Sequence, residues 1–264
     1  MSKRLKLAVW KFSSCDGCQL QLLDLGENLL ALLGQVEIAW FLEASRRTIS
    51  GPYDLSLVEG SVTTPREEKE IRRIRKASRH LVTIGACATA GGIQALRNFA
   101  SLENYAALVY PQPEYITALA TCMPASHYVK VDAELHGCPI NREQVLEVIV
   151  ALLLGRKAHL PESSVCMECK RAHHSCVLVE HGTPCLGPVT RAGCGAICPG
   201  FKRGCYGCFG PVPGANLASH ARVLQELGVD TKGWRRMLST FNVQAFRALE
   251  ETNGGNKDEK TAHD

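Results

Sequence analysis

Thirteen cysteines in 264 residues constrain this chain more than any other feature, and eight of them fall between Cys166 and Cys208. In "RAGCGAICPGFKRGCYGCFGPVPG" four of these, Cys194, Cys198, Cys205 and Cys208, are interspersed with glycine and proline. A segment of that composition buries little apolar surface, so covalent cross-links or bound metal must offset its ordering entropy. An odd number of thiols cannot all pair, and no charged-then-apolar leader opens the sequence, which argues against a secreted disulfide framework. The thiols are therefore expected to be reduced and ligating, in a cytoplasmic protein. The apolar run "VLEVIVALLLG" from Val145 is too short to cross a bilayer, so no membrane insertion is expected.

The hydrophobic content of 45% is ordinary for a globular chain with a real core. A formal net charge of +4 would admit a nucleic-acid partner, but lysine and arginine are scattered among acids, and none is expected. "LKLAVWKF" (5–12) reads as a buried strand leading through "SSCDGC" into one helical pattern, "QLQLLDLGENLLALLG", closed by Gly34. "VEIAWFLEA" (36–44) and "YDLSLVEGSV" (53–62) read as strands, and "TPREEKEIRRIRKASR" (64–79) as an exposed helix. "HLVTIGACAT" (80–89) reads as a strand ending at a cysteine. "HYVKVDAELHGCPINREQVLEVIVALLLG" gives an extended run, a cysteine in a Gly/Pro turn, Asn141 as an N-cap and an apolar helix. Strands alternating with helices predict a mostly parallel sheet covered on both faces, an α/β fold. Cys15, Cys87 and Cys138 each follow a predicted strand, which puts them beyond the sheet's carboxyl edge, with Cys18 joined through its C-x-x-C spacing.

Near Pro161 the periodicity stops and a second, smaller domain begins. The expected division is 1–160, 161–252, and a polar, disordered tail over 253–264. "ASHARVLQELGVD" and "GWRRMLSTFNVQAFRALEE" read as short amphipathic helices that fold back on the cysteine-rich segment.

From Cys166 to Cys208 the pattern is C-x2-C-x6-C-x8-C-x8-C-x3-C-x6-C-x2-C, eight ligands that divide into two four-thiolate sites. Soft thiolates suit zinc or iron-sulfur clusters. The C-x3-C-P ending "CGAICP" and glycines offering N–H groups to cluster sulfur favour iron-sulfur; two zinc sites stay open as the alternative. Of the five N-terminal cysteines, Cys15, Cys18, Cys87, Cys122 and Cys138, four make a third site. The one left over is Cys122, in "TALATCMPASHY" ahead of a strand, expected as a small buried hydrophobe with a redox-active thiol as the alternative. No G-x-S-x-G, H-E-x-x-H or phosphate-binding G-x-x-x-x-G-K-[ST] competes, and "ATAGGI" (88–93) reads as a close-packed turn.

"SSCDGCQLQLLDL", "LSLVEGSVTTP", "GACATAGGI" and "LHGCPIN", in that order and followed by the eight C-terminal cysteines, resemble the electron-transferring small subunit of NiFe hydrogenases across most of residues 5–215. The resemblance implies a flavodoxin-like N-terminal domain followed by a small iron-sulfur domain with short helices. It implies that Cys15, Cys18, Cys87 and Cys138 hold a proximal 4Fe-4S cluster, with Glu59 of "VEG" close to it. Cys166, Cys169, Cys176 and Cys185 would hold a distal cluster, and Cys194, Cys198, Cys205 and Cys208 a medial one, three 4Fe-4S clusters in all. Many membrane-linked members have histidine at the position of Cys166 and proline at that of Cys198, so the chain is more similar to the cytoplasmic, sulfhydrogenase-type NADP-linked group. His173, His174 and His181 are then surface or packing residues rather than ligands. The implied partners are a large subunit carrying the NiFe centre, a flavin (FAD) and NAD(P)-binding subunit, and ferredoxin-like iron-sulfur subunits. Catalytic residues are expected on none of this chain's positions. The alternatives are a hydrogenase linked to heterodisulfide reductase or to a deazaflavin-reducing flavoprotein, and a zinc-stabilised scaffold without a redox role. A related cluster-bearing subunit of respiratory complex I gives no account of the eight C-terminal cysteines.

Overall fold

The computed structural model describes residues 4–252; the tail expected to be disordered, 253–264, lies outside them. The chain divides into two compact units, Met1–Pro161 and Glu162–Asp264. In the first, β1 (Leu5–Lys11), β2 (Val36–Phe41), β3 (Tyr53–Glu59), β4 (Ser78–Ile84) and β5 (Ala133–Leu135) form one sheet in the order β2-β1-β3-β4-β5. Every neighbouring pair is parallel. That order is the flavodoxin-like one, in which the crossover direction reverses beside β1. Apolar side chains fill both faces: Leu7, Val9, Leu55, Leu57 and Ile84 on one side, Ala8, Trp10, Val58 and Leu81 on the other. Burial on both faces explains why the strands read as continuous apolar runs.

Helices α1 (Gly17–Leu23), α2 (Glu27–Leu33), α3 (Pro65–Ala77), α4 (Gly85–Ala90), α5 (Leu102–Val109) and α6 (Arg142–Leu153) connect or cover these strands. The helix expected to run unbroken to Gly34 is two helices. Gly26, at φ 56 and ψ −125, turns the chain where no helical residue can continue. The strand expected through residue 89 stops at Ile84, and Cys87 belongs to α4 instead. In "HYVKVDAEL" three residues, Ala133–Leu135, pair as strand. Helix α3 starts with Pro65 in its first turn, and Thr64 with Glu67 closes a capping box.

The second unit contains α7 (Val165–Arg171), α8 (Val177–Glu180), α9 (Ile197–Gly200), α10 (Leu217–Glu226), α11 (Thr231–Leu238) and α12 (Val243–Thr252). The final helical stretch is broken between Leu238 and Val243, so it forms two helices rather than one. Leu217, Leu224, Trp234, Leu238 and Phe246 from these last helices pack against Val165, Leu186 and Val189 of the cysteine-rich segment. The apolar surface which that segment lacks is thus supplied by the helices that follow it.

At the carboxyl end of β3 the chain passes Phe12 with no space to spare. The Phe12 N–H donates to the Glu59 carbonyl at 2.8 Å, and a Cβ on Gly60, whose φ is +95, would lie 2.6 Å from the Phe12 carbonyl carbon. Gly60→Ala is expected to lower stability by about 1–3 kcal/mol through backbone strain alone, and further through the displaced β1 end. Thermal unfolding of the assembled protein checks it; an unchanged midpoint would contradict this reading of the β1–β3 contact.

Candidate metal centres

At the carboxyl edge of the first unit, four thiols arrive from three strand ends. The β1–α1 loop carries Cys15, and Cys18 stands in the first turn of α1. Asp16 occupies the N-cap position of that helix, but it is left-handed (φ 67) and makes no cap hydrogen bond. Its carboxylate is held by Lys11 Nζ at 2.6 Å and by Ser14 Oγ at 3.2 Å. The cap is supplied from β3: Glu59 Oε1 accepts the Cys18 N–H at 3.0 Å, and Oε2 accepts the Gln19 amide at 2.7 Å. Glu59 is only 2% exposed; burial raises its pKa, and the Gln19 and Cys18 donors oppose that rise. At the helix N-terminus the buried acid thus meets one orphan backbone donor, one side-chain amide and the positive end of the peptide dipoles.

The next strand end supplies Cys87 and the last supplies Cys138. Gly85, at φ +84, opens α4, and a Cβ there would lie 2.3 Å from Cys18 Sγ. Gly92, at φ +66, would put a Cβ 2.6 Å from Cys87 Sγ. Both glycines are therefore space left for sulfur. Gln94 ties the pieces together, standing 3.5 Å from Cys87 Sγ and donating its amide to the Ser13 carbonyl at 2.8 Å. The turn at Gly137 is fastened by Ala86 N–H to the Gly137 carbonyl at 2.7 Å. Burial, with smaller contributions from the Cys138, Cys15 and Glu59 charges, pushes the Cys87 thiol up to about 12. Cys18 and Cys138 are also raised, burial first and neighbouring acidic groups after it. The four thiols thus share one electrostatic environment.

Cys122 stands apart from this set. It is 0% exposed, its Sγ lies 3.4 Å from the Gly91 carbonyl, and its backbone exchanges two 2.8 Å hydrogen bonds with the Asn98 side chain.

In the second unit, Cys166, Cys169, Cys176 and Cys185 line one small cavity together with Val165, Val177, Gly187 and Pro199. Burial pushes Cys166 up to about 11, followed by the charges of Cys185, Cys176 and Cys169. Cys205 is held near 12 by burial, its Sγ accepting from the Gly207 N–H at 3.5 Å, with Cys185 and Cys208 among its charged neighbours. Cys194 neighbours Cys198 and Glu168, behind burial in raising its pKa. Glu168 accepts the Gly193 N–H at 2.9 Å. Cys185 Sγ accepts two backbone donors, Gly187 N–H at 3.4 Å and Cys205 N–H at 3.2 Å. His173 is exposed, His181 sits at the surface 3.7 Å from Glu180, and His174 packs over Gly200.

Among the described residues, no three Cys, His, Asp or Glu side chains stand close enough to share a single metal ion. All-thiol donor sets, backbone N–H groups aimed at sulfur and glycines beside Sγ atoms fit an iron-sulfur core, whose thiolates are larger than oxygen or nitrogen ligands and accept hydrogen bonds from the backbone. What the sequence did not reveal is the task of Glu59 as the cap of α1, and the role of Gly85; the signal available was the positive φ that a glycine directly after a strand suggests. Among the described residues no helix is long and apolar enough to cross a membrane.

The family described as NADH ubiquinone oxidoreductase, 20 Kd subunit, matches residues 15–152. The delta subunit of sulfhydrogenase 2 from Pyrococcus furiosus is 38% identical over 237 residues, covering 90% of this chain and 99% of the relative. The F420-non-reducing hydrogenase vhu of Methanocaldococcus jannaschii contributes a second relative, 34% identical over 274 residues, covering 90% of this chain and 95% of that one. A solved NAD+-reducing NiFe-hydrogenase in its H2-reduced state has a chain that superposes with a TM-score of 0.56 at 28% identity, over 60% of this chain and 96% of that one.

Replacing Glu59 by alanine would strand the Cys18 N–H and the Gln19 amide in a buried site. Each unpaired donor costs about 1–3 kcal/mol. Glu59→Gln is expected to cost less, because Gln19 can turn its amide to pair with it. Thermal unfolding of both variants checks the order; equal losses would remove Glu59 from the role of helix cap.

Proposed function

Because this chain belongs to the family of the NADH ubiquinone oxidoreductase 20 Kd subunit and is a hydrogenase small subunit within it, we propose that it relays electrons through three 4Fe-4S clusters. They would run between the NiFe site of a separate large subunit and a partner that binds flavin and NAD(P). The proximal quartet is Cys15, Cys18, Cys87 and Cys138, the distal one Cys166, Cys169, Cys176 and Cys185, and the medial one Cys194, Cys198, Cys205 and Cys208. Bound clusters of this kind supply reversible one-electron chemistry. The chain's own residues hold them, exclude water and set their surroundings. The observation that carries the reading is the convergence of thiols from separate strand ends on one edge, with Gly85 and Gly92 leaving room beside two of the sulfurs.

Hydrogen cleavage is assigned to the large subunit, and this chain's thiols to carrying the electrons it releases. The domain limits follow the same division: proximal ligands before Pro161, medial and distal ligands after it. The NAD(P)-linked subtype draws support from the NAD+-reducing neighbour. A second reading keeps the three quartets and changes the acceptor to heterodisulfide reductase or a deazaflavin-reducing flavoprotein. The relative from a hydrogenase named as not reducing F420, itself a deazaflavin, supports keeping the heterodisulfide arm of that alternative and not the deazaflavin one. Co-purification of the assembled complex distinguishes them by the chain that accompanies the large subunit.

Anaerobically purified complex is expected to carry roughly 12 iron and 12 sulfide per copy of this chain, with a brown absorbance that bleaches on reduction. Zinc without sulfide would overturn the proposal in favour of a scaffold. Gly85→Ala is expected to remove roughly a third of that iron, because the added methyl group occupies the place of Cys18 sulfur while the second unit is untouched. Iron analysis of the variant checks this, and a full complement would detach Cys18 from the proximal set.

A further inference from the structure

The relay reading gives no task to His220, a buried titratable side chain on α10. It is 5% exposed. Nε2 lies 3.0 Å from the Cys185 carbonyl oxygen, and Nδ1 lies 3.3 Å from the indole Nε1 of Trp234 on α11. An indole N–H only donates, so Nδ1 must be the accepting nitrogen. The ring proton therefore sits on Nε2 and is donated to the Cys185 carbonyl. Burial lowers the imidazole pKa, and the contact with the carbonyl opposes that lowering. The result is a neutral imidazole in one tautomer, gripping the peptide of a proposed cluster ligand.

That peptide stands where two loops meet. Cys185 Sγ accepts the Gly187 N–H at 3.4 Å and the Cys205 N–H at 3.2 Å, while the Leu186 N–H donates to the Cys205 carbonyl at 3.0 Å. The approach leaves no room at Gly204, where a Cβ would lie 1.9 Å from the Pro184 carbonyl oxygen. Small displacements of the Cys185 peptide thus change both N–H···S contacts together. One of them crosses from a ligand of one quartet to a ligand of the other.

We propose that His220 is a positioning residue of the relay: by holding the Cys185 carbonyl it keeps two backbone donors on that sulfur, and so sets the reduction potential of the cluster that Cys185 ligates. The inference rests on the proposed function, in which Cys185 is an iron-sulfur ligand. An N–H donor directed at a ligating sulfur stabilises added negative charge and thus the reduced cluster. Loosening these donors lowers the potential.

The test is an EPR-monitored redox titration of the assembled complex, with iron and sulfide analysis alongside, for wild type, His220→Leu and His220→Gln. Leucine fills the volume and donates nothing; glutamine can present an amide N–H to the same carbonyl. The expected result is unchanged iron and sulfide, a downward shift of one cluster potential in His220→Leu, and the wild-type potential in His220→Gln. Iron-loaded His220→Leu with every potential unchanged would overturn the proposal. Should leucine cost the complex iron, the comparison passes to His220→Gln against His220→Asn. The shorter amide faces Trp234 but falls short of the carbonyl, so a lowered potential in asparagine alone supports the proposal and equal potentials overturn it. A wild-type complex without iron and sulfide defeats the parent reading instead, before any variant is made.

Discussion

A thiol surrounded by apolar side chains resists ionisation, and most of the proposed ligands in this chain feel that resistance. Burial, with neighbouring negative charges behind it, pushes Cys87 and Cys205 up to about 12 and Cys166 up to about 11. Thiolates persist in such places only beside a cation or beneath hydrogen-bond donors. The cysteines are accordingly poor candidates for free nucleophiles and good ones for ligands, because a positively charged iron-sulfur core removes the penalty that burial imposes. Gly85, Gly92, Gly187 and the N–H groups of Cys205 and Gly207 all make sense as adaptations to large, negatively polarised sulfur atoms.

The two units reach the same donor chemistry by different routes. In the first, residues as far apart as Cys15 and Cys138 meet because every strand is parallel and delivers its following loop to one edge. Precision there comes from long-range contacts: Glu59 of β3 on the N-terminus of α1, and Gln94 reaching back to Ser13. In the second unit the proposed ligands are close in sequence, and short turns carry them with little regular structure. Stability comes from α10, α11 and α12, whose apolar faces cover loops that have few apolar residues of their own. His220 belongs to that cover and at the same time touches the backbone of Cys185.

What the sequence disclosed follows this division. Apolar runs and the N-cap Asn141 of α6 announced most strands and helices, and cysteines placed after strands announced the edge at which they gather. Cys87 was legible as a residue beyond β4, but its place inside α4 was not, since a six-residue helix gives no periodic signal. Nor was the break at Gly26, where apolar leucines continue the helical pattern on both sides and a backbone at φ 56 overrides it. Glu59 illustrates the larger limit. A lone acid at a strand end looks solvated until the distant helix N-terminus that buries it is known, and the same holds for His220, whose partners are a carbonyl and an indole.

Charge bears on how such sites are tuned. Each cluster with four thiolates adds about −2, so three would carry a chain of formal charge +4 to about −2. Of the basic residues near the C-terminal cysteines in sequence, Arg191 is half-buried, while Lys170, Arg171, Lys202 and Arg203 are exposed, and Arg203 is already engaged with the Tyr206 hydroxyl at 2.6 Å. Water and salt screen charges in that position within about 10 Å. Backbone dipoles that point at buried sulfur from 3.2 to 3.5 Å suffer no such screening. In the proposed relay, control over where an electron rests in this unit would therefore lie with the peptide groups around Cys185 and Cys205, and with the side chains that hold those peptides still, more than with its exposed basic residues.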